Sequence, residues 1–373
     1  MGNRQTQRGF SLVELLIAMG VGGVVMAAAV TVYQRSVQVS NLVTSRAELQ
    51  SEMRSAMNQM ARDLNQAGTG IPLGGLPIPS STTGGKNPIF GCDSTRCYVT
   101  GGVFANGTLN RITAANSAGI TTSEATDAIV VTYVDPIAPA TDLTSSATGL
   151  DWGTYTTTTI SDDGSSLTMP AGTTPALNDP EKGLAVGDLL LMQNIRGSAI
   201  AVVTGFDATS RQIFFAAGDP LKINQPAAVP ITGTLAKLIE NPLPTGGLPH
   251  YKPTSVARIM MVSYFVWQDP SDGHLMLMRQ VNGRTARPVA EYIEDLQVSY
   301  DLMDNSTTPG KLVADLADAA VGSPKVPRPD LIRKINLRII ARSPRLNAQG
   351  LYDRMSIATS IGPRNLSFHD IFN

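Results

Sequence analysis

Histidine is nearly missing from this 373-residue chain, which has only His250, His274 and His369. Cysteine is scarcer, with Cys92 and Cys97 alone. A His/Cys metal centre needs several such ligands together, and a His-based triad needs an imidazole beside its nucleophile. The scatter of these residues is poor stock for either. No phosphate loop, nucleophile elbow or paired-carboxylate motif takes their place. "DPSDG" (269–273) and "DNSTTPG" (304–310) are acidic but lack the spaced carboxylates and distal glutamate of a calcium loop. They read as turns. Charge is sparse too, at 16% of residues, against about 25% in an average protein. The 29 basic and 30 acidic residues nearly cancel, leaving a net charge of −1, which argues against a nucleic-acid binder. The expectation is a chain with no catalytic residues, metal or cofactor.

One apolar run stands out. Leu15 to Val32, "LLIAMGVGGVVMAAAVTV", contains no charged residue and can cross a bilayer as a helix. Arg4 and Arg8 precede it with no acid among the first nine residues, which keeps that end cytoplasmic. Glu14 sits at its start. A carboxylate inside a membrane costs roughly 2.5–3.5 kcal/mol on insertion scales. A cleaved secretory signal, cut near Met26–Val30, does not account for the length. An ordinary anchor does not account for the glutamate.

The stretch "RGFSLVELLIAM" (8–19) resembles the signal of type IV pilins and type II secretion pseudopilins. The resemblance implies that a prepilin peptidase cuts after Gly9 and that Phe10 becomes the N-methylated first residue. Glu14 is then the fifth mature residue. In an assembled filament its carboxylate would meet the N-terminal ammonium of a neighbouring subunit, and the two charges would offset each other's desolvation. Glu14 also lies about 6 Å along a helix from Phe10, so a pair within one subunit competes with that arrangement.

Beyond the apolar run, Leu42, Leu49, Met53, Met57, Met60 and Leu64 recur at helical spacing. Arg46, Glu48, Glu52, Arg54, Arg62 and Asp63 are assigned to the other faces. No proline falls between Phe10 and Ile71, and Gly68, Gly70 and Pro72 end the pattern. This predicts one continuous helix. Members of the family that build the filament shaft usually carry a proline in the apolar half. Its absence, beside Gly20, Gly22 and Gly23, leans toward a minor subunit.

The remainder reads as a β-rich domain. Strand-like runs are 128–134, 188–193, 199–206, 212–217, 257–268, 274–281, 296–302 and 334–343. Residues 68–97 read as loop, and 137–182 and 303–330 as surface insertions. Cys92 and Cys97 lie in that loop, and a local disulfide is the simplest reading in an exported domain. The expected fold class is α+β, a long N-terminal helix laid on antiparallel sheet. The expected divisions are a leader (1–9), a membrane or filament-core helix half (10–33), an amphipathic half (34–67) and a periplasmic or extracellular globular domain (68–373).

"GDLLLMQ", "VAEYIEDLQVSYDLMDN", "IRKINLRIIARSPR" and "IGPRNLS", in that order, resemble PilW-type minor pilins. The last three also resemble the J-type pseudopilin. The resemblance implies a non-catalytic subunit, held in the inner membrane before assembly and carried to the cell-surface pilus afterwards. Its implied partners are the prepilin peptidase, the major pilin, other minor pilins, the inner-membrane assembly platform and a PilY1-type tip adhesin. An adhesive module on a pilin stalk is a further reading of the Ser/Thr-rich insertions.

Overall fold

The computed structural model describes residues 11–72, 74–80, 85–100, 102–104, 107–119, 125–135, 155–156, 159–172, 176–180, 183–194, 196–226, 231–239, 254–304, 309–321, 326–347 and 350–367. One helix, α1 (Leu12–Asn65), carries the N-terminal part. At 1.5 Å per residue it is about 81 Å long. It stops where the chain turns through Gly68 and Gly70, both at positive φ. A Cβ on Gly70 would come within 2.5 Å of the Val134 side chain, so only glycine lets the chain turn this close to the sheet.

Two antiparallel sheets receive the C-terminal end of α1. The first contains β1 (Ile112–Gly119), β2 (Thr126–Val134), β3 (Leu189–Asn194), β4 (Gly197–Val202), β5 (Ser255–Gln268), β6 (Leu275–Val281) and β7 (Arg287–Glu291). Its order is β7-β6-β5-β2-β1. The β3–β4 hairpin pairs with the start of β5 at Ser255–Ile259, while β6 pairs from Val262 onward. Asn282 fills the gap, accepting from Met261 N–H and donating to the Ile259 carbonyl. The second sheet contains β8 (Ile293–Asp304), β9 (Lys311–Leu316), β10 (Ile332–Leu346) and β11 (Tyr352–Ile361), in the order β9-β8-β10-β11. α1 lies against β7, β10 and β11.

Period-two alternation divides the interior. Ile129, Val131 and Tyr133 on β2, with Val262, Tyr264 and Val266 on β5, point into a core shared with α1 and the second sheet. Ala128, Val130, Met261, Phe265 and Trp267 point the other way, onto the segment containing Phe90, Tyr98 and Phe104. A third core forms where the β3–β4 hairpin meets Leu167, Met169, Ile213 and Phe215.

Several expectations change here. Asp63 is not on an exposed face of α1: it is buried, in line with Ala56 one heptad earlier. The run 199–206 breaks after Val202, and Gly205–Asp207 pairs instead with Gln212–Phe214 in a separate small sheet. The described parts of 137–182 are more than surface insertion, since Ser166–Thr168 joins that sheet and Leu167, Met169 and Leu177 are buried. Within 303–330, Lys311–Leu316 extends the second sheet as an edge strand. β1 and β11 also form where no strand was expected. In 68–97, Leu76–Pro77 makes a short ladder with Thr108–Leu109. The 269–273 turn is as expected, with Asp269 Oδ1 accepting from Ser271 N–H and O–H. Part of 304–310 lies outside the described residues.

Cys92 and Cys97 are joined in a disulfide. Between them, Asp93 Oδ1 accepts from the Thr95 and Arg96 amides and the Thr95 hydroxyl, and Oδ2 accepts from the Tyr98 hydroxyl at 2.6 Å. Burial works against the charge on Asp93, but these hydrogen bonds outweigh it and lower its pKa to about 2. Burial and that carboxylate push the Tyr98 phenol up to about 12. Gln280 Nε2 donates to the Cys92 carbonyl, and the Tyr98 ring stacks on Phe265 at 5.5 Å. The loop is therefore fastened to the sheet by contacts besides the S–S bond. Thiol labelling of the unfolded, unreduced protein should find no free cysteine. Converting both to serine should cost about 2 kcal/mol and raise proteolysis within 85–100 while the sheet's far-UV signal stays. Cleavage and signal unchanged from wild type would show that the bond contributes nothing to the loop.

Candidate assembly interface

The first part of α1 touches nothing else among the described residues. Its apolar window is wholly uncovered and long enough to cross a membrane. Leu12 is 74% exposed and Val24 71%. A Cβ added at Gly20, Gly22 or Gly23 would meet no atom within 4 Å. Thr31, the one side-chain hydroxyl inside the apolar run, donates to the Ala27 carbonyl at 2.8 Å, which leaves that donor satisfied in a nonpolar setting. Exposure continues through Val43, Leu42 is half-buried, and the fully buried stripe begins at Leu49. Uncovered apolar surface of this extent marks a membrane or protein contact.

Glu14 stands at the head of this helix. Ser11 is the N-cap: its Oγ accepts from Val13 N–H at 3.3 Å, and Glu14 Oε2 accepts from Ser11 N–H at 3.0 Å. The pair forms a capping box, which satisfies amide donors that a helix start leaves open. The sequence carried this signal in "SLVE", and the reading of Glu14 as an assembly carboxylate passed over it. Gly9 and Phe10 lie outside the described residues. Ser11 N–H stays a peptide amide whether or not the chain is cut at Gly9, so the box is compatible with both forms. Glu14 Oε1 accepts no hydrogen bond among the described residues, which leaves one carboxylate oxygen for another donor.

The opposite end of α1 is tied down by Asp63. Its carboxylate accepts from the Tyr264 hydroxyl at 2.6 Å, the Tyr133 hydroxyl at 3.1 Å, and Arg279 Nε at 2.8 Å. Three strands thus converge on one helical side chain. An acid in a helix's last turn opposes the macrodipole, and these donors supply the compensation. Burial and the Asp63 charge together raise both phenols well above their ordinary range. Burial alone would lower Arg279, but the hydrogen bonds and charge of Asp63 more than reverse it. The guanidinium therefore stays protonated and the tyrosines neutral. Upstream, Arg46 pairs with Asp353 at 3.5 Å, and Glu52 accepts from the Glu291 amide at 3.4 Å. The arrangement is a packed β domain from which a bare apolar helix extends, with no cluster of metal-binding side chains among the described residues.

Comparison with known families finds one match, the prokaryotic N-terminal methylation motif, over residues 4–30. No curated protein and no solved structure matches the chain. The motif supports a type IV pilin-like or pseudopilin-like protein. It implies processing by a prepilin peptidase and assembly with other pilins. Together with the uncovered helix, it is consistent with anchoring in the inner membrane.

Proposed function

We propose that this chain is a PilW-like minor pilin, a non-catalytic subunit of the priming or tip complex of a type IV pilus. The observation that carries the proposal is the bare apolar helix, headed by the methylation motif and held out from a firmly anchored domain. Gly9 and Phe10 are the processing residues, and Glu14 sets axial register against a neighbour. Residues 1–9 are the leader, 10–33 the membrane and filament-core half of the helix, 34–67 the half that leads onto the domain, and 68–373 the exported domain. Its partners are the major pilin, other minor pilins, the assembly platform and a PilY1-type tip adhesin. The second reading, a J-type pseudopilin, rests on the sequence blocks 289–305, 332–345 and 361–367.

Mass spectrometry of protein from host membranes should find a chain beginning at N-methyl-Phe10. Deleting the gene should reduce surface pili and leave the level and processing of the major pilin unchanged. A mature N-terminus near Val30 would defeat both readings. Normal piliation with blocked release of secreted proteins would select the pseudopilin.

A further inference from the structure

β11 ends the second sheet, paired with β10 on one side and with no strand on the other among the described residues. Alternate residues of such a strand turn N–H and C=O groups away from the sheet, and folded chains normally guard that row with proline, bulges, lysine or a covering segment. The other sheet edges here are guarded. β7 carries Pro288 and a register shift against β6. β1 has a register shift after Ala115 and holds Ser117 at positive φ. β9 is six residues long, begins with Lys311 and holds Asp315 at positive φ. On β4, the Asn224 side chain accepts from the Val202 amide and donates to its carbonyl. β11 has none of these devices. Its register with β10 is unbroken from Arg354 to Ile361, and residues 355–361, "MSIATSI", contain no charge, proline or glycine. Met355 and Ile357 pack on the core shared with α1 yet remain only half-buried.

We propose that β11 is a docking edge, extended by a strand from the globular domain of a different pilin-type subunit. The inference rests on the assembly role proposed above. The chemistry of the occupant follows from the edge. A row of alternating donors and acceptors at strand spacing is satisfied by another extended backbone. The half-buried Met355 and Ile357 call for apolar side chains at alternate positions of the added strand. The source follows from direction and place. Arg46 of α1 contacts Asp353 at 3.5 Å near the start of β11, and Asn365 Nδ2 donates to the Thr69 hydroxyl at 2.6 Å beyond the ends of both elements. β11 therefore runs alongside α1 in the same sense. That direction argues against a second copy of this chain. Copies anchored in one membrane have their α1 helices in the same sense, and joining two β11 edges antiparallel would reverse one of them. Joining them in parallel needs a one-residue stagger that a two-fold axis does not supply. The remaining edges of a second copy are the guarded ones. A different subunit meets the requirement, because its own helix beside α1 holds its domain next to β11 at high local concentration.

The test uses full-length protein in host membranes, with a photo-crosslinking residue at Ser356 in one strain and at Leu16 in a second. Ser356 is exposed on β11, and the exposed Leu16 reports packing of the apolar helix. The expected Ser356 adduct is to the globular domain of another subunit that carries the methylation motif. Thr359→Lys puts a charge into the half-buried row at the edge and should cut that yield about tenfold or more. Leu16 adducts, the melting temperature in detergent and the mature N-terminus should stay as in wild type. Thr359→Val should keep the Ser356 yield. Hydrogen exchange needs no variant. It should slow about tenfold or more for amides of 354–361 in the co-purified complex relative to the isolated protein, and stay unchanged for 311–316. If Thr359→Lys does not accumulate, exchange decides. Ser356 adducts to a second copy, to a protein without the motif or to lipid would overturn the proposal. So would equal yield from Thr359→Lys, unchanged exchange, or no Ser356 adduct. Where Leu16 still crosslinks to pilin subunits, the assembly reading stands after such a result; where it does not, that reading falls as well.

Discussion

Asp63→Ala should lower the stability of the folded domain by about 3–5 kcal/mol, the usual cost of removing one member of a buried ion pair. The loss comes mainly from what remains. Arg279 would keep its charge with its principal partner gone, and the Tyr133 and Tyr264 hydroxyls would lose their shared acceptor. Asp63→Asn should retain the tyrosine hydrogen bonds in part, yet it still strands the guanidinium. A stronger control pairs Asp63→Leu with Arg279→Met. Replacing both charges by apolar groups of similar size is often neutral or better, so the double variant should recover most of the loss. Urea unfolding of the full chain in detergent reads this directly. Protease cleavage around 66–72, where α1 hands over to the sheet, reads whether the helix end has come loose. A single variant within about 1 kcal/mol of wild type would mean that the apolar stripe from Leu49 to Leu64 holds α1 without the charge network.

The Asp63 network also shows how far the sequence could be read. The helix, its terminators and most long strands follow from spacing, because burial on one face imposes a period of 3.6 or 2 on residue choice. Asp63 breaks that rule: its charge assigns it to a face away from the apolar stripe, yet it is buried. Yet Ala56 and Asp63 are one heptad apart on the buried seam, and Leu275, Leu277 and Arg279 alternate on one face of β6. A carboxylate and a guanidinium, each at an inward position, were two halves of one pair. Only the fold shows that they meet, since 216 residues separate them. The missed strands have another cause. Tyr352–Ile361 is an edge strand, and alternate residues along it are exposed. Its composition, "YDRMSIATSI", is polar enough to read as loop. Thr159–Ile160 and Ser166–Thr168 of the small sheet were hidden by their length, being two and three residues long.

Glu14 has two tasks open to it, and variants of one residue separate them. Within a subunit it closes the capping box on Ser11. Losing an N-terminal cap costs about 0.5–2 kcal/mol, felt as fraying of the first turn. Between subunits, the proposed pair with the ammonium of a neighbour's Phe10 would be nearly dry. Stranding that ammonium would cost about 3–5 kcal/mol, or roughly a hundred- to several-thousand-fold in incorporation. Glu14→Ala removes both contributions and should insert, be cut at Gly9, and then fail to co-purify with its pilin partners. Glu14→Gln is the deciding variant. Glutamine serves a capping box as glutamate does, but it brings no charge to an ammonium. If Glu14→Gln assembles like wild type while Glu14→Ala does not, the capping box is the function and the intersubunit pair is wrong. If Gln fails as completely as Ala, with processing intact in both, the charge itself is required. Glu14→Asp should then recover part of the loss, because the carboxylate returns on an arm one methylene shorter. Full assembly by all three variants would remove Glu14 from the assembly mechanism altogether.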